Sequence, residues 1–330
     1  MTAPIDVVCG LRVEKAGPLA LLQDAGRFGV RRLGVTQGGP ADLHAWAWAN
    51  HLLDNPWGAP VLEITLGGLE LIAEHDMTLA LCGADLEATL DDKPWLSWQV
   101  VSVTQGQRLR FGSARSGARA YLAVAGGFLA EPVLGSVACV SREGLGGHDG
   151  HGRSLAMADR LHIDRSCQAS SRERYVGRRA PGKERIDYRE PARLRLIPGA
   201  QISEFSGVSL FAAFNRPWHV DSRADRMGVR LKGPPLRCRL STMISEGIPL
   251  GAVQVPPDGQ PIVLLNDRQT IGGYPRLGTL TPLACARLAQ CLPEQEVWLV
   301  AETPQHAQEE YRRFRLRFDV TAVPGAASHR

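Results

Sequence analysis

Short apolar runs broken by glycine and proline dominate the chain. VLEITL (61–66), LELIA (69–73), MTLALC (77–82), RAYLAV (119–124), RLRLI (193–197), PIVLL (261–265) and VWLVA (297–301) read as β-strands, because each is brief, rich in branched residues and bounded by turn formers. The alternation Arg193-Leu194-Arg195-Leu196 predicts a sheet wet on one face. Helical spacing is rarer. Residues 41–53 set Leu43, Trp46, Ala47, Asn50 and Leu53 on one side of a helix that Asn55-Pro56 stops. Thr281-Pro282 and Thr303-Pro304 each start another, with proline at the first helical position. The pattern predicts a mainly β fold with a few short helices, not the βα alternation of a doubly wound sheet.

Residues 164–192 carry no periodicity, and from Arg165 to Arg195 there are ten Lys/Arg against four Asp/Glu. This reads as a basic, solvated linker between two β-rich domains, 1–163 and 193–320, with a disordered tail at 321–330. The segment has few aromatics that would stack on bases, so nucleic acid is not an expected partner. A charge of +4 over 330 residues, with 44% hydrophobic and 22% charged residues, is ordinary for a globular protein. Seven scattered cysteines without a CxxC pair read as free thiols in a reducing, cytoplasmic setting. The longest nearly apolar run, Ala120 to Ala130, is too short to span a membrane, and no membrane association is expected.

Three stretches bring glycine, Asp and Arg together: QDAGRFG (23–29), RADRMGVRL (223–231) and NDRQTIGG (266–273). Glycine lets the backbone approach a ligand closely, and the planar guanidinium suits a carboxylate or phosphate. In the third stretch, Val253 and Val255 alternate as in a strand, PPDGQ supplies a turn, and Pro261–Leu265 returns. That hairpin would present Asp267, Arg268, Gln269 and Thr270 at a strand end, with Gln254 on the same wall. Gly272 and Gly273 would let the chain close around a ligand, and Tyr274 would cover it. Asn50 is most simply a buried amide, and Glu63, inside a strand, needs a partner such as Arg27 or Arg31. GLGGHDGHGR (144–153) reads as a solvent loop rather than a metal site, and no metal is expected. The chain has no GxxxxGK[ST] and no GxSxG.

Collinear blocks then make the sequence resemble the allophanate hydrolase subunit 2 family, which includes the C component of 5-oxoprolinase and the corresponding half of biotin-dependent carboxyltransferases. They are GPLALLQDAGRFGVRRLGV (17–35), Asp42, LEITLGG (62–68), LCGADLEATL (81–90), AYLAVAGG (120–127), VLGS (133–136), DRMGVRLKGPPL (225–236), residues 245–280 and LAQCLPEQEVW (288–298). The resemblance implies a cyclophilin-like barrel in the C-terminal domain. It also implies a subunit 1/B-type partner, a third lactam-utilisation-type subunit, and ATP with magnesium used to open 5-oxo-L-proline to L-glutamate. On that reading Arg268 and Arg226 would meet phosphate charge and Asp267 would handle a proton. Gln254, Gln269 and Thr270 would hold the amide, and Asp24 with Arg27 would complete the pocket or the partner contact. The alternatives it implies are carboxyl transfer from carboxybiotin to urea or a related amide, and a non-catalytic antagonist of a kinase-inhibitor-like subunit. Neither a biotin carboxylase nor a biotinyl carrier lies within the 330 residues, which favours the oxoprolinase-type reading. The chain departs from the family pattern at Thr36–Ala41 and at Val137-Ala138-Cys139, where Arg-Ser-Thr is usual. That departure removes a guanidinium and two hydroxyls and implies an altered specificity or a weak activity.

Overall fold

In a computed structural model, which describes residues 5–169 and 171–318, two antiparallel sheets form the N-terminal half. Seven strands run in the order Phe128–Leu129, Arg160–Asp164, Val7–Lys15, Glu70–Ala73, Arg108–Arg110, Thr89–Leu90, Lys93–Pro94. Five run in the order Leu19–Gln23, Val61–Thr65, Ser116–Val124, Met77–Asp85, Gln99–Val103. Their facing side chains form one core, in which Leu11, Leu22, Leu62, Leu81, Leu122 and Ile163 are at no more than 1% exposure. The expected tail at 321–330 lies outside the described residues.

The five-stranded sheet is buried on its other face too. Along Ser116–Val124, Ala120, Leu122 and Val124 enter the core between the sheets, while Tyr121 and Ala123 join a second cluster. This two-sided burial explains why these strands read as unbroken apolar runs. The cover is helix α1 (Leu43–His51), started by Asp42, whose Oδ1 accepts from the His44 and Ala45 N–H groups at 2.9 and 3.0 Å. The spacing predicted one apolar side. In the structure Ala45, Trp46, Ala47, Trp48, Ala49 and Asn50 are all buried.

The reason lies in two distant segments. After the short helix α2 (Ser171–Tyr175), the basic stretch pairs along Gln99–Val103: Arg178 and Trp98 carbonyls accept from Val100 and Ala180, each at 3.0 Å. Its arginines face outward, but Tyr175 and Tyr188 are buried, so the segment is an ordered strap rather than a wholly solvated one. The C-terminal helix α5 (Pro304–Phe318) follows two more, α3 (Gly207–Asn215) and α4 (Pro282–Leu288). It lies across α1, with Phe318 edge-on to Trp48 at 5.4 Å and Phe314 edge-on to Trp57 at 6.4 Å. A helix at the end of the second half thus completes the outer layer of the first.

The barrel that the resemblance implied closes from seven strands, in the order Ala192–Pro198, Arg276–Leu280, Ala252–Gln254, Ile262–Leu264, Gly228–Lys232, Trp218–Ala224, Glu296–Ala301. The seam is the parallel pairing of Ala192–Pro198 with Glu296–Ala301; the other pairings are antiparallel. Leu194 and Leu196 point inward at 0% exposure while Arg193 is exposed, as their alternation predicts. Among the described residues, no helix is long and apolar enough to cross a membrane.

Candidate active site

The predicted hairpin is present, Val253 opposite Val263 and Gln254 opposite Ile262, and it delivers residues 266–270 to the boundary between the two halves. There Arg226 occupies the centre of a buried network. Its Nε and Nη2 donate to the two Asp267 oxygens at 2.9 and 3.0 Å, its Nη1 donates to Glu63 at 2.6 Å, and its Nη2 also reaches the Gly39 carbonyl at 2.7 Å. Glu63, from the N-terminal strand Val61–Thr65, also accepts from the Ala41 N–H and the Tyr121 hydroxyl, with Arg119 Nε at 3.8 Å. The partner that the Glu63 carboxylate required is therefore Arg226, supported by Arg119, and neither Arg27 nor Arg31.

Burial raises the Glu63 carboxyl, but Arg226 and Arg119 outweigh it and hold it below its ordinary value. Asp267 goes the other way: burial lifts it, Arg226 opposes, and the nearby Glu63 charge adds to the rise. Burial disfavours the Arg226 cation, yet the two carboxylates more than compensate and push its pKa up. Both Asp267 oxygens are taken up by the Arg226 fork. Asp267 thus acts through Arg226, and one guanidinium ties the barrel to the N-terminal sheet.

Arg268 points back into its own half, donating to the Ile248 and Leu265 carbonyls, each at 3.1 Å. Burial, with Arg31 nearby, lowers its pKa to about 10. Arg31 itself donates to the Ile248 and Thr270 carbonyls. Gln269 and Thr270 follow, half-buried, and Thr270 lines a separate surface recess with Arg31 and Ile248. Gln254 is 3% exposed, and its Nε2 lies 3.0 Å from where a Cβ on Gly272 would stand. A Cβ on Gly273 would meet the Met243 carbonyl at 2.7 Å. These two glycines let the chain pack closely against the 243–248 segment, where the Gly273 carbonyl accepts from the Met243 N–H, and Tyr274 stays exposed.

The remaining predicted residues sit apart. Asn50 Nδ2 donates to the Ala59 carbonyl and its Oδ1 accepts from Asn55, which ties the loop after α1. Asp24 accepts from the Gly26 and Val137 N–H groups and from the Ser136 hydroxyl. Arg27, fully buried, donates to the carbonyls of Val133, Ser136 and Ala138, leaving Nη1 without a partner. Asp24 and Arg27 therefore clamp the turn that carries the departure at 137–139. The loop 144–153 is held by Arg153 on Asp149 and by His148 facing Asp159 at 3.0 Å.

Between the halves lies a cavity of about 110 Å³. Gln37 and Pro40 from the loop before α1 form one side, Leu250, Asn266 and Pro282 of the barrel another, and Trp57 with Tyr311 and Arg315 of α5 close it. Asn266 Nδ2 donates to the Gly38 and Pro40 carbonyls at 3.2 and 3.0 Å, which fixes the amide and leaves Oδ1 as an acceptor. Gly38 and Gly39 have φ of +66° and +90°, and a Cβ on Gly39 would stand 3.0 Å from the Ala25 carbonyl, so this wall requires glycine. Cys285 also lines the cavity, but burial pushes its thiol up to about 12, which makes it a poor nucleophile. Reading the sequence missed the α5 contribution, because Arg315 sits among Arg312, Arg313 and Arg317 with no local mark to separate it. It missed equally the interdomain tie in which Gln290 Nε2 and the Tyr188 hydroxyl both donate to Asp42 Oδ2.

A family model described as "Carboxyltransferase domain, subdomain A and B" matches residues 33–301. The chain is 38% identical to the 5-oxoprolinase C component of Escherichia coli (strain K12) over 309 residues, 92% of this chain and 96% of the relative. It is 34% identical to a putative urea carboxylase of Emericella nidulans over 303 residues, 87% of this chain but 23% of the relative. Its fold matches the crystal structure of the Kluyveromyces lactis urea carboxylase with a TM-score of 0.87 at 24% identity, over 96% of this chain and 29% of that one.

Proposed function

The chain belongs to the carboxyltransferase family of subdomains A and B, and from that premise we propose that it is the C-type component of an ATP-dependent 5-oxoprolinase. The carrying observation is the match to the 5-oxoprolinase C component, which runs over nearly the whole of both chains. The reaction adds water across the ring C–N bond of 5-oxo-L-proline and releases L-glutamate.

The geometry supports the interdomain cavity as the place where the small amide is held. At about 110 Å³ the cavity is smaller than one of 150 Å³ that takes up benzene, so it excludes a nucleotide and seats only part of a compact lactam, the rest lying at its open side. Of residues 266–270, Asn266 lines this cavity, and Arg226 positions the loop that carries it by holding Asp267 and Gly39 together. Arg226 and Arg268, the cations expected to meet phosphate, direct N–H groups at protein acceptors. They do not fit a triphosphate, and the nucleotide with its magnesium falls to the other subunits. The subunit 1/B-type and lactam-utilisation-type partners remain part of the proposal.

The deciding experiment combines the purified chain with those two subunits and follows ATP hydrolysis and glutamate release upon addition of 5-oxo-L-proline. Turnover that needs all three chains is the expected result, and no turnover in any combination overturns it. A second reading, carboxyl transfer from carboxybiotin to urea or a related amide, draws on the 34% identity to a putative urea carboxylase. Substrate-dependent loss of carboxyl from carboxybiotin would support it instead. Tight binding to the subunit 1/B-type chain without either activity would point to the regulatory alternative.

A further inference from the structure

Helix α5 begins three residues past the end of the family match at residue 301, yet it closes the interdomain cavity. Its arginines differ sharply in their surroundings. Arg312 and Arg313 pair with Glu309, and Arg317 pairs with Glu184. Arg315 has no carboxylate partner among the described residues; its guanidinium carbon lies 3.7 Å from the centroid of the Trp57 ring, and the side chain lines the cavity. Stacking occupies the face of a guanidinium and leaves its N–H edge free, the edge that binds a carboxylate in two-pronged fashion. Trp57 is itself held edge-on by the buried Trp46 at 5.0 Å, so the cation rests on a fixed support.

The same cavity presents the Asn266 carbonyl oxygen, whose amide nitrogen is already committed to Gly38 and Pro40. A cation and a fixed acceptor on an otherwise largely apolar, small cavity describe a complement to a compact carboxylic acid that carries an amide N–H. We propose that Arg315 is a specificity-determining residue: it binds the substrate carboxylate, and through it α5 makes the site select carboxylated lactams over neutral ones. The identity of the lactam as 5-oxo-L-proline rests on the function proposed above; the demand for a carboxylate rests on Arg315 alone.

The test uses the full chain, as wild type, Arg315→Gln and Arg315→Lys, with three probes: L-5-oxoproline, N-acetylglycine and 2-pyrrolidinone, the last having the same ring without a carboxylate. Binding is measured by calorimetry and ligand-observed NMR at low salt, with melting curves to verify folding. Wild type is expected to bind at least one of the carboxylate probes. Arg315→Gln should weaken that binding tenfold or more, Arg315→Lys should fall between, and 2-pyrrolidinone binding should be unchanged. In the enzyme assembled with its partner subunits, Arg315→Gln should raise KM for 5-oxo-L-proline about tenfold while kcat stays within about twofold. Equal binding of the carboxylate probes by wild type and Arg315→Gln overturns the inference. So does an equal loss of all three probes, or wild type that binds neither carboxylate. Turnover with an unchanged KM in the variant would remove the role of Arg315 and leave the 5-oxoprolinase function standing. Arg315-dependent binding of N-acetylglycine without 5-oxoproline binding or turnover would do the reverse.

Discussion

Replacing Arg226 by Met removes one guanidinium from between two buried carboxylates, and the consequence can be worked from the geometry. The Asp267 side chain loses both of its guanidinium hydrogen bonds, and Glu63 loses its contact at 2.6 Å and keeps Arg119 at 3.8 Å. Breaking a buried pair from one side costs about 3–5 kcal/mol, because the remaining charge is left without compensation. With a urea slope of about 2–3 kcal/mol/M, the unfolding midpoint at pH 8 should fall by about 1–2.5 M. The loss should depend on pH with a definite sign. Without Arg226, burial pushes both carboxyls above their unfolded values of about 3.9 and 4.3. A carboxyl raised in the folded state supports folding while it is protonated, and that support is lost as pH rises through the raised value. The stability gap between wild type and variant should therefore widen from pH 5 to pH 8. Urea titrations followed by circular dichroism at both pH values measure it. A gap that is equal at the two pH values, or below about 1 kcal/mol at pH 8, refutes the reasoning. A triple variant with Glu63→Gln, Arg226→Met and Asp267→Asn, which leaves no buried charge behind, should recover more than half of the loss.

Phe314→Ala removes a buried ring between α5 and α1, and the lost packing of about 3 kcal/mol or more should release the helix. Amide exchange across residues 304–318 should quicken by about a hundredfold while the barrel strands keep their protection; unchanged exchange in α5 would contradict the packing argument. Gly39→Ala forces an alanine into φ +90° with its Cβ 3.0 Å from the Ala25 carbonyl. It should lower stability by about 1–3 kcal/mol in denaturant titrations, whereas a neutral result would mean that the loop relaxes freely. Burial pushes Cys139 and Cys291 up to about 11 and Cys285 to about 12, so at pH 8 only about one thiol in a thousand to ten thousand is ionised. Iodoacetamide followed by mass spectrometry should find the exposed Cys167 modified well before these three.

Local signals carried much of the fold. The runs 61–66, 77–82, 119–124 and 297–301 are strands because brief branched segments between turn formers have few other ways to bury themselves. Thr281 does cap α4, with its hydroxyl accepting from the Ala284 N–H, and Pro304 does open α5. In the site, the hairpin and the loop it presents were legible from Val253 to Thr270, since turn chemistry is read within a few residues. Chemical need was legible as well: a carboxylate inside VLEITL had to have a counter-charge.

What the sequence could not specify was where that counter-charge would come from. Glu63 and Arg226 stand 163 positions apart, and only the packing of sheet against barrel joins them, while the nearer Arg27 is drawn to the 133–138 turn. The same holds for α5. Its start was written in Thr303-Pro304, but its docking on α1, and with it the placement of Arg315 over Trp57, follows from an aromatic surface assembled from both halves of the chain. By itself the sequence determined the mainly β class, the strongly marked strands and helix starts, and the family, because those depend on neighbours in the chain. The tertiary structure alone decided which charges pair and which stay free, because desolvation and hydrogen bonding act between neighbours in space.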